Sequence, residues 1–217
     1  MASVCVTGGT GYIGSRLIPL LVDRGHHVTA IVRPGSEKKI PRGISIVAAD
    51  PLKEDSYTAW IRGCDTFVHL IGVPHPSPAK AAQFHAIDLP SIQVAVKAAC
   101  EGGTRHFIYL SVAQPASMMR AFIAVRAEGE ALIRAIGMSA TFVRPWYVLG
   151  PAHRWPYALV PFYWMAELLP TTRDSARRLG LVTVSQMLAA LIWAIENPPG
   201  DVRILDVPKI RELAHRT

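Results

Sequence analysis

Residues 4–7 form a short apolar run that leads into a glycine-rich turn, after which Ile13, Leu17, Leu20 and Leu21 recur at helical spacing through residue 24. Gly25 stops that helix and residues 27–32 supply a second apolar strand. Residues 3–33 therefore read as one βαβ unit, parallel and right-handed. The alternation continues with a strand near 44–48, a short helix around 53–61, a strand 66–71, a helix about 78–100, a strand 106–111, a helix about 118–136 and a strand 140–144. Strands alternating with helices predict an α/β fold built on a doubly wound parallel sheet. A last helix, 184–196, and a strand, 202–207, close the chain, with only a short charged tail after Pro208. Residues 1–150 are expected to form the core of the sheet, and 151–217 a small C-terminal, substrate-side appendage that completes a single domain.

Residues 155–169 break this rhythm. They are apolar and aromatic, but Pro156 and Pro161 interrupt them, and they fall short of the roughly 20 uninterrupted apolar residues a membrane span requires. The segment reads as a cap over a substrate side or as an interaction surface, membrane contact included, and not as a span.

The composition narrows the partners. At 217 residues, 50% of them hydrophobic, the chain is long enough to bury one sizeable core. Its net charge of +7 raises nucleic acid, membrane surface and anionic small ligands as partners. The basic residues are scattered, with only short pairs such as Lys38-Lys39 and Arg177-Arg178 and no nucleic-acid-binding signature, so a small anionic ligand is expected and nucleic acid is not. No secretory leader pattern opens the sequence, and Cys5, Cys64 and Cys100 are odd in number and set in apolar or helix-end contexts. A cytoplasmic protein with reduced thiols is the expectation.

The turn Thr7-Gly8-Gly9-Thr10-Gly11-Tyr12-Ile13-Gly14 lies between a strand and a helix, the setting in which such a turn binds a dinucleotide. Gly8 permits the tight turn, Gly11 lets backbone N–H groups approach a pyrophosphate, and Gly14 lets the helix pack against the sheet with its positive end toward the phosphates. Thr10, Tyr12 and Ile13 share that cradle. NAD-binding versions place an acid roughly 20 residues further on to hold the adenosine ribose. This chain has Arg33 there instead, which favours a 2′-phosphate and hence NADP over NAD, with Ser36, Lys38 and Lys39 close enough to add donors. Asp50 and Pro51 end the third strand, where the acid can face the adenine amino group or serve the turn.

Together with this turn, Gly63-Cys64-Asp65-Thr66-Phe67-Val68-His69-Leu70, Tyr109-Leu110-Ser111 and Arg144-Pro145-Trp146-Tyr147-Val148-Leu149-Gly150-Pro151 resemble an atypical short-chain dehydrogenase/reductase. The nearest resemblance is to the NAD(P)-binding group that includes NmrA-like regulators and the nucleotide-binding accessory subunit of respiratory complex I. The resemblance implies that Leu70, Ile71 and Gly72 pass along the cofactor and that Pro145, Tyr147 and Val148 flank its nicotinamide end.

Active members carry Tyr-x-x-x-Lys on the helix after the serine-bearing strand, because residues four apart share one helix face. No tyrosine here has a lysine four residues on, and at the matching place stand Phe122 and Arg126. Phenylalanine has no proton to give. Arg126 keeps a fixed charge that can still hold the nicotinamide ribose. Ser111 survives as a hydroxyl able to donate one hydrogen bond, and no general base is near it in sequence. Tyr147, together with His75, His85 and His153, supplies the other candidate acids. The histidines have no ligand spacing, so no metal site is expected. Two functions fit: a cofactor-binding protein without dehydrogenase chemistry, structural or redox-responsive, and an NADP-dependent oxidoreductase or epimerase that uses a non-standard acid.

Overall fold

In the computed structural model, residues 1–53, 55–151, 165 and 173–214 are described. Seven strands, β1 (Ser3–Thr7), β2 (His27–Val32), β3 (Ser45–Ala48), β4 (Thr66–His69), β5 (His106–Leu110), β6 (Ala140–Val143) and β9 (Val202–Leu205), make one sheet in the order β3-β2-β1-β4-β5-β6-β9. Every pairing in it is parallel. This is the Rossmann arrangement, and its direction of winding reverses between β1 and β4, where the crevice at the carboxyl ends of the strands is the expected ligand site.

Side chains alternate across the pleat, so each strand feeds two cores. Val4, Val6, Val68 and Ile108 face one side, with α1 (Gly14–Asp23) and two late helices, α6 (Val184–Glu196) and α7 (Val207–Leu213). Cys5, Phe67, Phe107, Tyr109 and Phe142 face the other, with α3 (Leu89–Glu101) and α4 (Arg120–Ile136). Both faces are covered, which is why the central strands read as unbroken apolar runs. Gly129 lies in the middle of α4 because a β-carbon there would stand 2.7 Å from the Tyr109 hydroxyl, so the helix packs directly on that ring.

Four features depart from the sequence expectation. The helix expected around 53–61 is, among the described residues, a 3₁₀ turn, Thr58–Trp60. The long helix expected over 78–100 is a series: a 3₁₀ turn Pro78–Lys80, a short α2 (Ala81–Gln83), a π turn Phe84–Asp88, and then α3. Pro90 supplies the reason, since its ring crowds the carbonyl four residues back and it has no N–H to bond there, which favours a widened turn ahead of it. The charged tail expected after Pro208 lies instead within α7, capped by the Asp206 carboxylate, which accepts the Lys209 N–H at 3.0 Å, and held by the buried Val207, Ile210 and Leu213. A small parallel pair, β7 (Tyr147–Leu149) with β8 (Leu181–Thr183), was not foreseen, because three-residue strands carry too little periodicity. A short helix, α5 (Arg173–Arg178), precedes β8, and the aromatic segment 155–169 lies outside the described residues except for the exposed Met165.

Two histidines are buried at strand ends, His69 at the carboxyl end of β4 and His106 at the amino end of β5. Burial, with the positive charge of Arg126 nearby, lowers the first to about 3; burial, with Arg203 nearby, lowers the second to about 4. Both stay neutral when folded, whereas the unfolded chain takes up their protons near 6.5. Their stabilising effect is therefore fully present above about pH 6.5 and lost as the pH falls toward the folded values. Urea unfolding at a series of pH values should show His69→Asn flattening the stability slope between about pH 6 and 5 by about 1.4 kcal/mol per pH unit.

Candidate functional site

The glycine turn sits where β1 ends, beside the end of β4. Gly8 adopts a φ of +75°, open to glycine at little cost, and a β-carbon on it would lie 2.8 Å from the Leu70 carbonyl carbon. A β-carbon on Gly14 would overlap the Gly8 carbonyl, so α1 starts hard against the turn. Its first turn has neither a side-chain cap nor an acidic residue. That leaves the positive helix end available to an anion, as a pyrophosphate requires. Thr10, Tyr12 and Ile13 are half-buried around this opening, and the Arg16 guanidinium lies 4.2 Å over the Tyr12 ring.

Arg33 is exposed at the end of β2, with Ser36 turned back onto its carbonyl at 3.0 Å and Lys38 exposed in the 3₁₀ turn Glu37–Lys39. The acid of this loop, Glu37, accepts the Gly35 N–H at 3.1 Å, and the backbone N–H groups around it hold it below the usual carboxylate range. Asp50 accepts the Leu52 N–H at 3.0 Å, which puts one carboxylate oxygen to turn use, and Pro51 is buried beside it.

Across the crevice, Arg126 is only 5% exposed. Its Nη1 donates to the carbonyls of Ile71 at 3.2 Å and Leu110 at 3.0 Å, and its Nη2 forms an ion pair with Asp88 Oδ2 at 3.0 Å. Nη1 also lies 3.5 Å from the Tyr109 hydroxyl. Gly72 makes room for this, since a β-carbon there would overlap Nη2. Asp88 is fully buried and also accepts the Val73 N–H at 2.8 Å; burial pushes its carboxyl up against the opposing pull of Arg126. The Arg126 Nε, also buried, has no hydrogen-bond partner among the described residues. Phe122 packs on Phe84 with ring centroids 5.0 Å apart, and the Arg126 guanidinium lies 5.1 Å from its ring.

A second charged cluster surrounds Ser111. Its hydroxyl donates to Glu130 Oε1 at 2.6 Å, and Glu130 is 1% exposed. Arg144 reaches this carboxylate through Nε at 2.8 Å and through Nη2, Arg134 reaches it at 3.1 Å, and Gln114 Nε2 is at 3.3 Å. Glu130, 19 positions away in sequence, is thus the carboxylate that meets the Ser111 hydroxyl.

Behind the glycine turn, Thr7 Oγ1 is 2.9 Å from His69 Nδ1, His69 Nε2 is 3.3 Å from Ser91 Oγ, and Ser91 donates to the Asp88 carbonyl at 2.8 Å. Because the serine proton goes to that carbonyl, His69 carries its proton on Nε2 and accepts from Thr7. His69, Asp88 and Glu130 were missed in the sequence. Each is a polar residue in an apolar strand or helix face, and only that mismatch could have flagged them. Leu70 and Ile71 are half-buried beside the turn, Pro145 is buried, and Tyr147 and Val148 are half-buried in β7, where the Trp146 and Tyr147 rings meet edge to face at 5.8 Å. His75 and His85 are exposed, His153 lies outside the described residues, and among the described residues no group of three or more acidic, histidine or cysteine side chains could hold a metal ion.

A doubly wound sheet with a glycine turn at its switch point defines a class, the nicotinamide-dinucleotide-binding Rossmann proteins. Residues 8–156 match the NAD(P)H-binding family, and the chain belongs to it. The chain is 24% identical over 207 residues to ceramide reductase of Caulobacter vibrioides, covering 94% of this chain and 64% of that protein. It is 41% identical over 78 residues to dihydroflavonol 4-reductase of Arabidopsis thaliana, covering 31% of this chain and 20% of that one. It thus spans less than two thirds of the length of these relatives. In fold it is similar to MoeE5 in complex with UDP-glucose and NAD, with a TM-score of 0.70 at 19% identity over 99% of this chain and 82% of that one. UDP-N-acetylglucosamine 4-epimerase from Bacillus cereus also superposes with a TM-score of 0.70, at 15% identity over 95% of this chain and 78% of that one. No helix among the described residues is long and apolar enough to cross a membrane.

The geometry of Arg126 makes a stability prediction. Asp88→Asn leaves a buried guanidinium without its counter-charge and should lower unfolding free energy by about 3–5 kcal/mol in urea titration. Gly72→Ala, which forces Nη2 off Asp88, should destabilise in the same direction; a wild-type midpoint for both variants would show the pair to be dispensable.

Proposed function

We propose that the protein binds NADP(H) at the crevice between β1 and β4 and does so without the Tyr-x-x-x-Lys proton relay, as a structural or redox-responsive cofactor-binding protein. The arrangement of Phe122 and Arg126 carries this reading. One has no proton, and the guanidinium of the other is committed to Asp88 and two strand-end carbonyls. When bound, the cofactor supplies a hydride. The glycine turn and the uncapped start of α1 would hold its pyrophosphate, and Arg126 Nε its nicotinamide ribose. Arg33, Ser36 and Lys38 would receive the 2′-phosphate, and the one acid in their loop, Glu37, is turned onto Gly35. The free thiols Cys5, Cys64 and Cys100 fit a reducing, cytoplasmic setting.

A second reading, an NADP-dependent oxidoreductase or epimerase with a non-standard acid, is favoured by the alignment of a ceramide reductase along 94% of the chain. In that reading Tyr147, at the start of β7, is the phenol to supply the proton.

Titration calorimetry tests the cofactor. NADPH should bind more tightly than NADH, Arg33→Ala should lose about tenfold or more for NADPH with little change for NADH, and Gly11→Val should abolish binding of both without unfolding the protein. Equal affinity for the two cofactors in wild type removes the role given to Arg33. The absence of a relay is tested by turnover: wild-type reduction of a carbonyl panel with NADPH at the typical kcat of about 10 per second would overturn the non-catalytic reading. Loss of that activity in Tyr147→Phe would then assign the acid to Tyr147.

A further inference from the structure

Ser111 has one proton and two lone pairs, and the proton is committed. It goes to Glu130 Oε1 over 2.6 Å, a short bond to a carboxylate that Arg134 and Arg144 pair from other directions. Turning the proton toward a bound carbonyl would break that charge-assisted bond and leave the serine oxygen against a carboxylate. Whatever else meets Ser111 therefore meets lone pairs, and a group that only accepts gains nothing from it.

The surroundings narrow the donor. Ser111 N–H bonds the Val143 carbonyl at 2.8 Å and Ala113 N–H bonds the Pro145 carbonyl at 2.9 Å, which fastens residues 111–113 along the end of β6 next to Pro145. On the other flank the Leu110 carbonyl takes Arg126 Nη1 at 3.0 Å. The strand end thus sets a donor-only guanidinium beside a serine that offers only acceptor capacity. A ribose hydroxyl suits the first. The second suits an N–H, and Ser111 is buried at this strand end.

Resting on the proposed binding of NADP(H), we infer that Ser111 accepts a hydrogen bond from the carboxamide NH₂ of the nicotinamide, and that Glu130 is the positioning residue that turns the serine proton away from the ligand. This reverses the carbonyl-directed role that the sequence position alone implies for Ser111. It also gives the Glu130–Arg144 pair a function in cofactor recognition.

The test compares NADP⁺ with its 3-acetylpyridine analogue, in which an acetyl group keeps the carbonyl and loses the NH₂. Calorimetric titration of wild type should give affinity for NADP⁺ about three- to tenfold above that for the analogue, the range of one neutral hydrogen bond. Ser111→Ala, which removes one hydroxyl at a strand end, should bring NADP⁺ down to the analogue's affinity and leave the analogue unchanged. Glu130→Gln, whose amide can donate to Ser111 Oγ and release the serine proton, should narrow or reverse the preference. A preference for NADP⁺ that survives in Ser111→Ala, or its absence from wild type, overturns the inference while leaving NADP(H) binding in place. Failure of wild type to bind either ligand overturns the proposed function and the inference together.

Discussion

A guanidinium taken out of water must recover its hydration from the protein, and the crevice of this molecule is built around that requirement at Arg126. Its partners come from three places: the Ile71 carbonyl after β4, the Leu110 carbonyl at the end of β5, and the Asp88 carboxylate in the π turn ahead of α3. Remove Asp88 and the buried charge loses its carboxylate partner. The same requirement accounts for Gly72, where a β-carbon would overlap Nη2. A lysine at this position would be a compact charge with three donors; the arginine works as a staple across strand ends.

The polar groups behind the crevice form two chains. Thr7, His69, Ser91 and Asp88 run from the glycine turn to Arg126, all fully buried, with a histidine that burial keeps neutral. Ser111, Glu130 and Arg144 run from the end of β5 to the start of the segment that leads into β7. Both chains give nearly every buried donor an acceptor, so proton positions are set before any ligand arrives. That is the property of a pre-organised polar frame. Beside it, Phe122 packs its ring on Phe84.

Much of this was legible in the sequence because it depends on neighbours in the chain. The alternation of apolar strands and helices is local periodicity, and it placed the strands of the main sheet and the helices α1, α4 and α6 to within a few residues. The glycine turn needs no partner to be recognised, since it lies between a strand and a helix. The absence of a Tyr-x-x-x-Lys pair is a matter of residue identity four positions apart. The sequence misled where short elements are stabilised from outside: the pair β7 with β8 and the helix α7 owe their existence to packing, and the break before α3 to the ring of Pro90.

What the sequence by itself determined, then, was the winding of the fold, the place of the glycine turn and the absence of a Tyr-x-x-x-Lys pair, because each is written in residues at most a few positions apart. Only the tertiary structure decided the electrostatics. Asp88 meets Arg126 across 38 positions, Ser111 meets Glu130 across 19 and Arg144 meets it across 14. A charged residue in a linear pattern reads as solvent-facing by default. The direction in which the Ser111 hydroxyl points follows from where α4 sets Glu130 down on the sheet, and no spacing along the chain contains that distance.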